Sequence, residues 1–361
     1  MVRLNFFKGC FLLVISLCCL NVAHAQLVYH DASDFPVLGK VVQDTKYRYS
    51  RLPASLESKS RRALWDLGLN SAGLAIRFAS NSTTVAVKWE LLLNRTMNHM
   101  SPTAIKGLDL YCLLNGKWTF VNTARPTGQK NDATIITNMP PKEREYMLYL
   151  SLYDEVINLK IGIDSLSNIE LPRVEMPVQR KPVVYYGTSI TQGACASRAG
   201  MAHTNILSRW LNREFINLGF SGNGQLDIEI ANLIAQVDAG MVILDFVPNA
   251  TVEQMEEKMY KFYSIIRERH PKMPILFVED PRFPYMRFDS MIAAEVDHKN
   301  NTVRQIFEKM KKKGEKNIYF LSSKNMLGKD NEATVDGIHF TDIGFMRYSE
   351  LLYPIIKKLL H

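Results

Sequence analysis

Hydrophobic and polar residues alternate over short stretches in the first half of the chain, and turn residues separate these stretches. This period-2 pattern is typical of β-strands that bury one face. The predicted strands are 74–78, 84–89, 108–113, 118–121, 145–152 and 156–163. Asn115 and Gly116 supply the positive φ angles that a tight hairpin turn requires. Because the strands are short and regularly spaced, with at best a turn of helix at 59–67, the pattern predicts an all-β sandwich.

The pattern changes after Pro182, where short apolar runs alternate with amphipathic stretches of helical length. The predicted strands are 183–186, 216–220, 242–247, 275–278 and 318–321. The predicted helices are 203–213, 226–236, 252–269, 291–312 and 343–360. Thr251 and Gln254 have the form of a capping box at the start of one helix. Such alternation predicts a parallel five-stranded sheet covered by helices on both faces, a three-layer α/β/α fold.

The two patterns are joined by residues 171–182, a stretch rich in proline and charge that is typical of an extended linker. We therefore predict a β-sandwich domain at 26–175 and an α/β domain at 182–361. The chain is ordinary in composition. After residue 25 it has no stretch long and apolar enough to be a transmembrane helix.

Residues 1–25 have the form of a secretory signal peptide. A basic start precedes an apolar core at 11–20, and residues 23–25 have the small-x-small form of a cleavage site, so that Gln26 would begin the mature chain. A lipoprotein signal at Cys18 is the alternative, which the bulky residue before it disfavours. The sequence therefore predicts a secreted or periplasmic protein without a stable membrane anchor.

Charge and cysteine content exclude some classes of function. Residues 1–25 hold two basic and no acidic residues, so their removal lowers the formal charge from +8 to +6. This mild excess does not indicate nucleic-acid binding, and the lysines at 311–313 fit a solvated helix end. Cys112 and Cys195 remain after processing. The sequence neither requires nor excludes a disulfide between them. Two isolated cysteines do not make a metal site, and no cofactor is predicted.

Functional groups in such a sheet collect at the carboxyl ends of the strands. Ser189 follows the first strand, Gly222 lies in a glycine-rich loop after the second, and Asn249 follows the third. Asp336 and His339 follow the fifth. Each also has a simpler interpretation, as a helix cap for Ser189 and Asn249, a turn for Gly222 and a surface loop for the last two.

Together these residues fit acyl transfer, which needs a nucleophile, a base, a group that orients the base, and donors for the oxyanion. Ser189 is the predicted nucleophile, His339 the base and Asp336 the orienting acid. The backbone N–H groups of Ser189 and Gly222 and the side-chain amide of Asn249 are the predicted oxyanion donors. This mechanism uses no metal.

Other titratable residues are given lesser roles. His99 is interpreted as a surface histidine in a turn, although it could reach a neighbouring ligand. His203 is predicted to pack or cap a helix, and His270 to lie at a helix end where a histidine suits the dipole. Asp245 and Asp280 lie in or after strands, and either would fit the lining of a pocket.

The blocks around Ser189, Gly222, Asn249 and His339, in this order, resemble the SGNH or GDSL hydrolase superfamily, whose four signature residues would correspond to them. Thr188 stands where that family has aspartate, and residues 247–250 lack its Gly-x-Asn-Asp form. An α/β-hydrolase would share the order of serine, aspartate and histidine. That fold has Gly-x-Ser-x-Gly, however, and residue 191 here is a threonine.

Residues 107–111, Gly-Leu-Asp-Leu-Tyr, resemble the signature of a small β-domain that precedes serine esterase domains in some secreted bacterial proteins. The alternative is a glycine turn that enters a strand, with Asp109 facing solvent. The two resemblances imply a flavodoxin-like catalytic domain packed against a sandwich.

The resemblances also imply an esterase that acts on small acyl groups, acetyl above all. A sandwich attached to an extracytoplasmic esterase favours carbohydrate as the carrier of the ester. A lipase or thioesterase acting on longer acyl chains is the first alternative. A catalytically silent carbohydrate-binding protein of the same fold is the second.

Overall fold

A computed structural model describes residues 26–175, 177 and 180–360, so the predicted signal peptide lies outside the described residues. The described chain forms fifteen strands and eight α-helices. The strands are β1 (Leu27–Asp31), β2 (Val37–Leu38), β3 (Ala75–Ser80), β4 (Val85–Leu91), β5 (Leu108–Leu114), β6 (Lys117–Ala124), β7 (Lys130–Ile136), β8 (Arg144–Tyr149), β9 (Val156–Asp164), β10 (Ile169–Glu170), β11 (Val183–Gly187), β12 (Phe215–Gly219), β13 (Met241–Asp245), β14 (Ile275–Val278) and β15 (Ile318–Leu321). The helices are α1 (Arg62–Gly68), α2 (Pro102–Ile105), α3 (Ser189–Gln192), α4 (His203–Leu211), α5 (Ile228–Ala235), α6 (Val252–Arg269), α7 (Ser290–Lys312) and α8 (Asp342–Leu359).

The N-terminal part is the predicted β-sandwich. One antiparallel sheet has the order β1-β9-β4-β7, and the other has the order β10-β3-β8-β5-β6 with β2 paired to β3. Side chains such as Phe78, Trp89 and Tyr146 fill the space between the sheets. The β5–β6 hairpin is confirmed, with φ of 51° at Asn115 and 75° at Gly116. The neighbouring strands β3 and β4 do not pair, because the chain crosses there from one sheet to the other.

The C-terminal part is the predicted three-layer α/β/α fold. Its five strands are parallel and have the order β12-β11-β13-β14-β15, which is the flavodoxin-like arrangement. Alternate residues of the central strand β11 pack on opposite faces, Val183 and Tyr185 on one side and Val184 and Tyr186 on the other. Burial on both faces explains why this strand is an unbroken apolar run. The capping box of Thr251 at the start of α6 is confirmed.

Both apolar cores of the α/β sheet extend into the N-terminal part. Tyr111 and Met147 of the sandwich belong to the core on one face of the sheet, and Leu52 and Trp65 belong to the core on the other. The division at 175–182 stays a prediction. None of the helices in the described ranges is long and apolar enough to cross a membrane.

The Gly-Leu-Asp-Leu-Tyr stretch joins the two parts of the molecule. Asp109 is fully buried, so the alternative in which it faces solvent is wrong. Its Oδ2 accepts hydrogen bonds from Arg198 Nη1 at 2.9 Å and from the Gly200 N–H at 2.7 Å, and its Oδ1 accepts one from Thr123. Arg198 also donates to the Tyr111 hydroxyl at 2.7 Å. We call these contacts the Asp109 junction.

A second connection is made by Arg51, whose guanidinium is buried between the two parts. It donates to the carbonyl oxygens of Asn217 at 3.0 Å and Gly219 at 2.7 Å. These carbonyls lie at the end of β12, directly before the glycine-rich loop. Burial lowers the pKa of Arg51 to about 9, which leaves it charged at neutral pH. The N-terminal part therefore supports the edge of the sheet at which the predicted functional groups lie.

Candidate active site

Ser189 lies where the central strand passes into the first turn of α3. Gly187 makes this turn possible, because a Cβ at that position would lie 2.1 Å from Thr191 Oγ1 and 2.8 Å from the Asp245 carbonyl oxygen. The strand is hydrogen-bonded to a neighbour on each side, so it holds the serine rigidly. Ser189 is 7% exposed.

His339 and Asp336 come from the loop before α8 and are aligned with the serine. His339 Nε2 lies 2.9 Å from Ser189 Oγ, and its Nδ1 lies 2.7 Å from Asp336 Oδ2. The other carboxylate oxygen of Asp336 accepts the N–H groups of Ile338 at 3.0 Å and His339 at 2.8 Å. One carboxylate thus shapes the loop and orients the imidazole ring.

Electrostatics favour an ionised Asp336. Burial by itself raises the pKa of this carboxyl, but the hydrogen bonds from the ring and backbone of His339 and from the Ile338 N–H outweigh it. The pKa is therefore lowered to about 2. An ionised carboxylate accepts a hydrogen bond from Nδ1–H, which leaves Nε2 free to accept a hydrogen bond from the Ser189 hydroxyl.

The loops after β12 and β13 lie on either side of Ser189, because these strands flank β11. Gly222 has a φ of 68°, and the space where its Cβ would stand is open. Within the described residues, no acceptor lies in hydrogen-bonding position to its backbone N–H. The preceding Ser221 N–H is bound by Gln192 Oε1 at 3.0 Å, which fixes the loop to α3.

Asn249 is attached to the same loop. Its side-chain Oδ1 accepts the Gly224 N–H at 3.2 Å, so its amide NH₂ is the group left to meet a ligand. A Cβ at Gly224 would lie 2.6 Å from the Gly187 carbonyl oxygen, which shows how closely this loop crosses the end of β11. The structure therefore brings all five predicted residues to one edge of the sheet.

Two residues of the N-terminal part reach this edge. Tyr153 has no signal in the sequence pattern, whereas His99 is a candidate there without an assigned partner. The Tyr153 hydroxyl donates to the Ser189 carbonyl oxygen at 3.3 Å. The His99 ring lies 5.3 Å from the His339 ring between centroids. His99 lies in a turn and is half-exposed, in keeping with its interpretation as a surface histidine, and its ring also packs against the loop that carries His339.

His99, Cys195 and His339 form the one group in the described ranges that could hold a metal ion, with ligand atoms within 4.8 Å of one another. Two imidazoles and a thiolate suit zinc. Burial, and then the charge of Asp336, raise the pKa of the Cys195 thiol to about 12, so a cation would have to displace its proton. It would also compete with Ser189 and Asp336 for His339. A metal here would oppose acyl transfer, and the metal-free mechanism stays a prediction.

The remaining candidates lie outside this constellation. His203 is fully buried against Tyr185 and Phe345, as predicted for a packed residue, and burial lowers its pKa to about 3. Asp245 accepts hydrogen bonds from the Tyr185 and Tyr348 hydroxyls, and burial raises its pKa to about 7.

The last two candidates, His270 and Asp280, make contacts within the fold. His270 caps the end of α6, with its Nε2 2.9 Å from the Ala235 carbonyl oxygen. Asp280 is buried, and its backbone N–H donates to Asn300 Oδ1 at 2.8 Å. Cys112 and Cys195 are both buried and unpaired.

Comparison with known families gives two matches. Residues 180–357 match the GDSL-like lipase/acylhydrolase family. Residues 27–169 match a family described as the N-terminus of SGNH-hydrolase-type esterases, named for Gly-x-Asp-Leu-Tyr. No curated protein sequence matches the chain.

Among solved structures, a GDSL-like lipase from Bacteroides ovatus is similar over 93% of this chain and 98% of its own, with 35% identity and a TM-score of 0.89. A salicylyl-acyltransferase from a tetracycline biosynthetic pathway has 18% identity and a TM-score of 0.75, with 92% and 97% covered. An acetyl xylan esterase from the rumen bacterium Butyrivibrio proteoclasticus has 12% identity and a TM-score of 0.57, with 92% and 98% covered. The last two are likenesses of fold alone.

Proposed function

Because the chain belongs to the GDSL-like lipase/acylhydrolase family, we propose that this esterase removes acetyl or other small acyl groups from carbohydrate by a mechanism centred on Ser189. The observation that carries the mechanism is the continuous contact from Ser189 Oγ to His339 and on to Asp336, at 2.9 and 2.7 Å. These are the distances at which a base removes a hydroxyl proton and is held in one tautomer.

The reaction follows from these contacts. Ser189 Oγ attacks the ester carbonyl while His339 Nε2 takes its proton, and the carbonyl oxygen becomes an oxyanion. The N–H groups of Ser189 and Gly222 and the Asn249 amide donate to this oxygen. His339 then returns the proton to the leaving alcohol. Water, deprotonated by the same nitrogen, attacks the acyl carbon; the bond to Ser189 Oγ breaks, His339 returns the proton to Oγ, and the acid leaves.

The identity of the acyl group and that of its carrier have weaker support than the mechanism. The acetyl xylan esterase among the fold relatives is in keeping with an acetylated glycan, although it shares 12% identity with this chain. The signal-like residues 1–25 favour a secreted or periplasmic enzyme, where such glycans occur. Longer acyl chains remain the alternative.

Hydrolysis of p-nitrophenyl esters by residues 26–361 tests the proposal. We expect acetate to be cleaved faster than octanoate, and Ser189→Ala to lower kcat by ~10⁴-fold or more. Asp336→Asn should lower kcat by ~10³–10⁴-fold, because it loses the charge that fixes the histidine tautomer. Ser165→Ala, at an exposed serine, is the control.

Three results would count against it. Equal activity of wild type and Ser189→Ala would exclude the nucleophile. Faster cleavage of octanoate would favour a lipase. Failure of the wild type to cleave any ester, combined with binding of acetylated oligosaccharides, would indicate a silent binding protein.

A further inference from the structure

Residues 94–99, here called the 94–99 segment, form one wall of the active site although they belong to the N-terminal part. Asn94 Oδ1 accepts a hydrogen bond from Lys106 Nζ at 2.7 Å, and the Arg95 N–H donates to Asp154 Oδ2 at 2.7 Å. The segment is thus fixed at its start, and it ends with His99 against His339. It therefore leads directly to the proposed base.

A cleft of about 680 Å³ lies between this segment and the glycine-rich loop. Arg95 and Thr96 line one side, and Ser221 and Asn223, the two neighbours of Gly222, line the other. Tyr153 also lines it and donates to the Ser189 carbonyl oxygen. The cleft is therefore next to the proposed oxyanion hole, where the part of an ester beyond its carbonyl would lie.

Arg95 is an unpaired cation in this cleft. Within the described ranges, no carboxylate lies within 4 Å of its guanidinium, and its buried Nε has no hydrogen-bond acceptor. The neighbouring Arg61 is bound by Asp227 at 2.7 Å, and Arg62 is bound by Asp66 at 2.9 Å. Asp66 is the acid of the cleft lining, and Arg62 already engages it.

The buried Nε of Arg95 has no partner, so a ligand in the cleft that accepts hydrogen bonds from this guanidinium would be favoured. Its planar set of donors matches a carboxylate, with which it can form two parallel hydrogen bonds. The hydroxyl groups of Thr96 and Ser221 suit the hydroxyl groups of a sugar, whereas the Asn223 amide is bound by Arg61 and the Ser221 carbonyl oxygen.

We propose that this cleft binds the carrier of the ester and that Arg95 pairs with a carboxylate on it, so that the preferred substrate is an acylated glycan containing uronic acid. The inference rests on the proposed esterase function and names the substrate class of the same site. It also gives the N-terminal domain a role in recognition.

The test compares acetylated oligogalacturonate, acetylated xylo-oligosaccharide and p-nitrophenyl acetate. Arg95→Gln should lower kcat/KM for the acidic oligomer by ~10–100-fold, the range expected for one lost charge-assisted hydrogen bond. The loss on the other two substrates should be smaller by at least ~10-fold, and Arg95→Lys should recover part of the loss on the acidic oligomer. Added salt should weaken the preference of the wild type for the acidic oligomer.

Arg173→Gln is the matched control, because it removes the same charge from the N-terminal part at an exposed position outside the cleft. Equal losses on acidic and neutral oligomers, or no loss on either, would overturn the proposal. A loss on p-nitrophenyl hemisuccinate without one on oligogalacturonate would place the carboxylate in the acyl group and overturn the assignment to the carrier.

Calorimetry with unacetylated oligogalacturonate separates this proposal from the proposed reaction. Weaker binding by Arg95→Gln than by wild type supports the cleft even if no ester is cleaved. Equal binding by the two proteins contradicts it even if the esterase activity is present. A thermal melt of each variant checks that the fold is kept.

Discussion

Thr188 shows at the scale of one residue how this site departs from its family. It precedes Ser189, is 1% exposed, and its hydroxyl has no hydrogen-bond partner in the part of the chain that the structure describes. An aspartate with the same surroundings would be a buried carboxylate without a partner, which costs far more than an unpaired hydroxyl. The neutral side chain is therefore the one that this packing accepts.

Asn249 provides a test of the proposed oxyanion hole. Asn249→Asp keeps an oxygen for the Gly224 N–H but replaces the amide donors, so the loop should hold while the donor is lost. We expect kcat for p-nitrophenyl acetate to fall by ~10²–10³-fold with a small change in KM. Steady-state kinetics measure this change. Asn232→Asp, at an exposed asparagine of α5, is the control. Unchanged kcat in Asn249→Asp would remove this residue from the mechanism.

The Asp109 junction connects β5 to the segment before α4, and it gives the Gly-x-Asp-Leu-Tyr motif a physical meaning. Gly107 is required because a Cβ there would lie 2.5 Å from the Thr103 carbonyl oxygen. Asp109 and Tyr111 both contact Arg198. A motif that resembles a turn and a strand in sequence is thus the contact surface between two structural elements.

Asp109→Asn should destabilise the protein by about 3 kcal/mol. The new amide would face the Arg198 guanidinium and the Gly200 N–H, which are donors, and Arg198 would lose its only carboxylate partner among the described residues. Urea unfolding measures the difference in the free energy of unfolding, and Asp44→Asn, at an exposed aspartate, is the control. Equal midpoints for Asp109→Asn and wild type would show that the junction contributes nothing.

Elements differ in how far the sequence predicts them. The strands of the parallel sheet agree with prediction to within two residues at each end, because burial on both faces makes them continuous apolar runs. The strand β7 was not predicted, since Lys130-Asn131-Asp132 begins it with polar residues. Its position at the edge of a sheet, next to β4 alone, permits this composition.

In the site, too, residues that belong to local motifs are predictable from the sequence, and residues brought near by packing are not. Ser189, Gly222, Asn249, Asp336 and His339 follow from motifs at strand ends, and the structure gathers them at one edge. Residues of the N-terminal part that reach this edge could not be predicted, because their proximity depends on how two sheet systems pack. No local spacing encodes that packing.

At the scale of the whole molecule, buried acids make stability depend on pH. Burial raises the pKa of Asp280 to about 8, against an ordinary value of 3.8, with smaller effects from Lys299, Asp245 and Glu295. Between about pH 4 and pH 8 the folded protein keeps a proton that the unfolded chain releases. The free energy of unfolding therefore falls as pH rises through this window. Glu155, with a pKa raised by burial to about 8, acts in the same direction.

Asp280→Asn should reduce this dependence, because an amide does not titrate. We expect Tm to fall less between pH 5 and pH 8 in the variant than in the wild type, as measured by differential scanning calorimetry. The Tm of the control variant Asp34→Asn, changed at an exposed aspartate, should fall over this pH range as much as that of the wild type. An identical pH dependence in Asp280→Asn and wild type would contradict the assignment.

The position of the 94–99 segment has a consequence for evolution. The residues proposed to cleave the ester lie in the C-terminal part, whereas this wall of the cleft is encoded more than 80 positions before Ser189. Substitutions or insertions in the segment could change which ester is accepted without touching the groups that react. Exchanging this stretch between family members should transfer substrate preference while the turnover of a simple aryl ester is conserved.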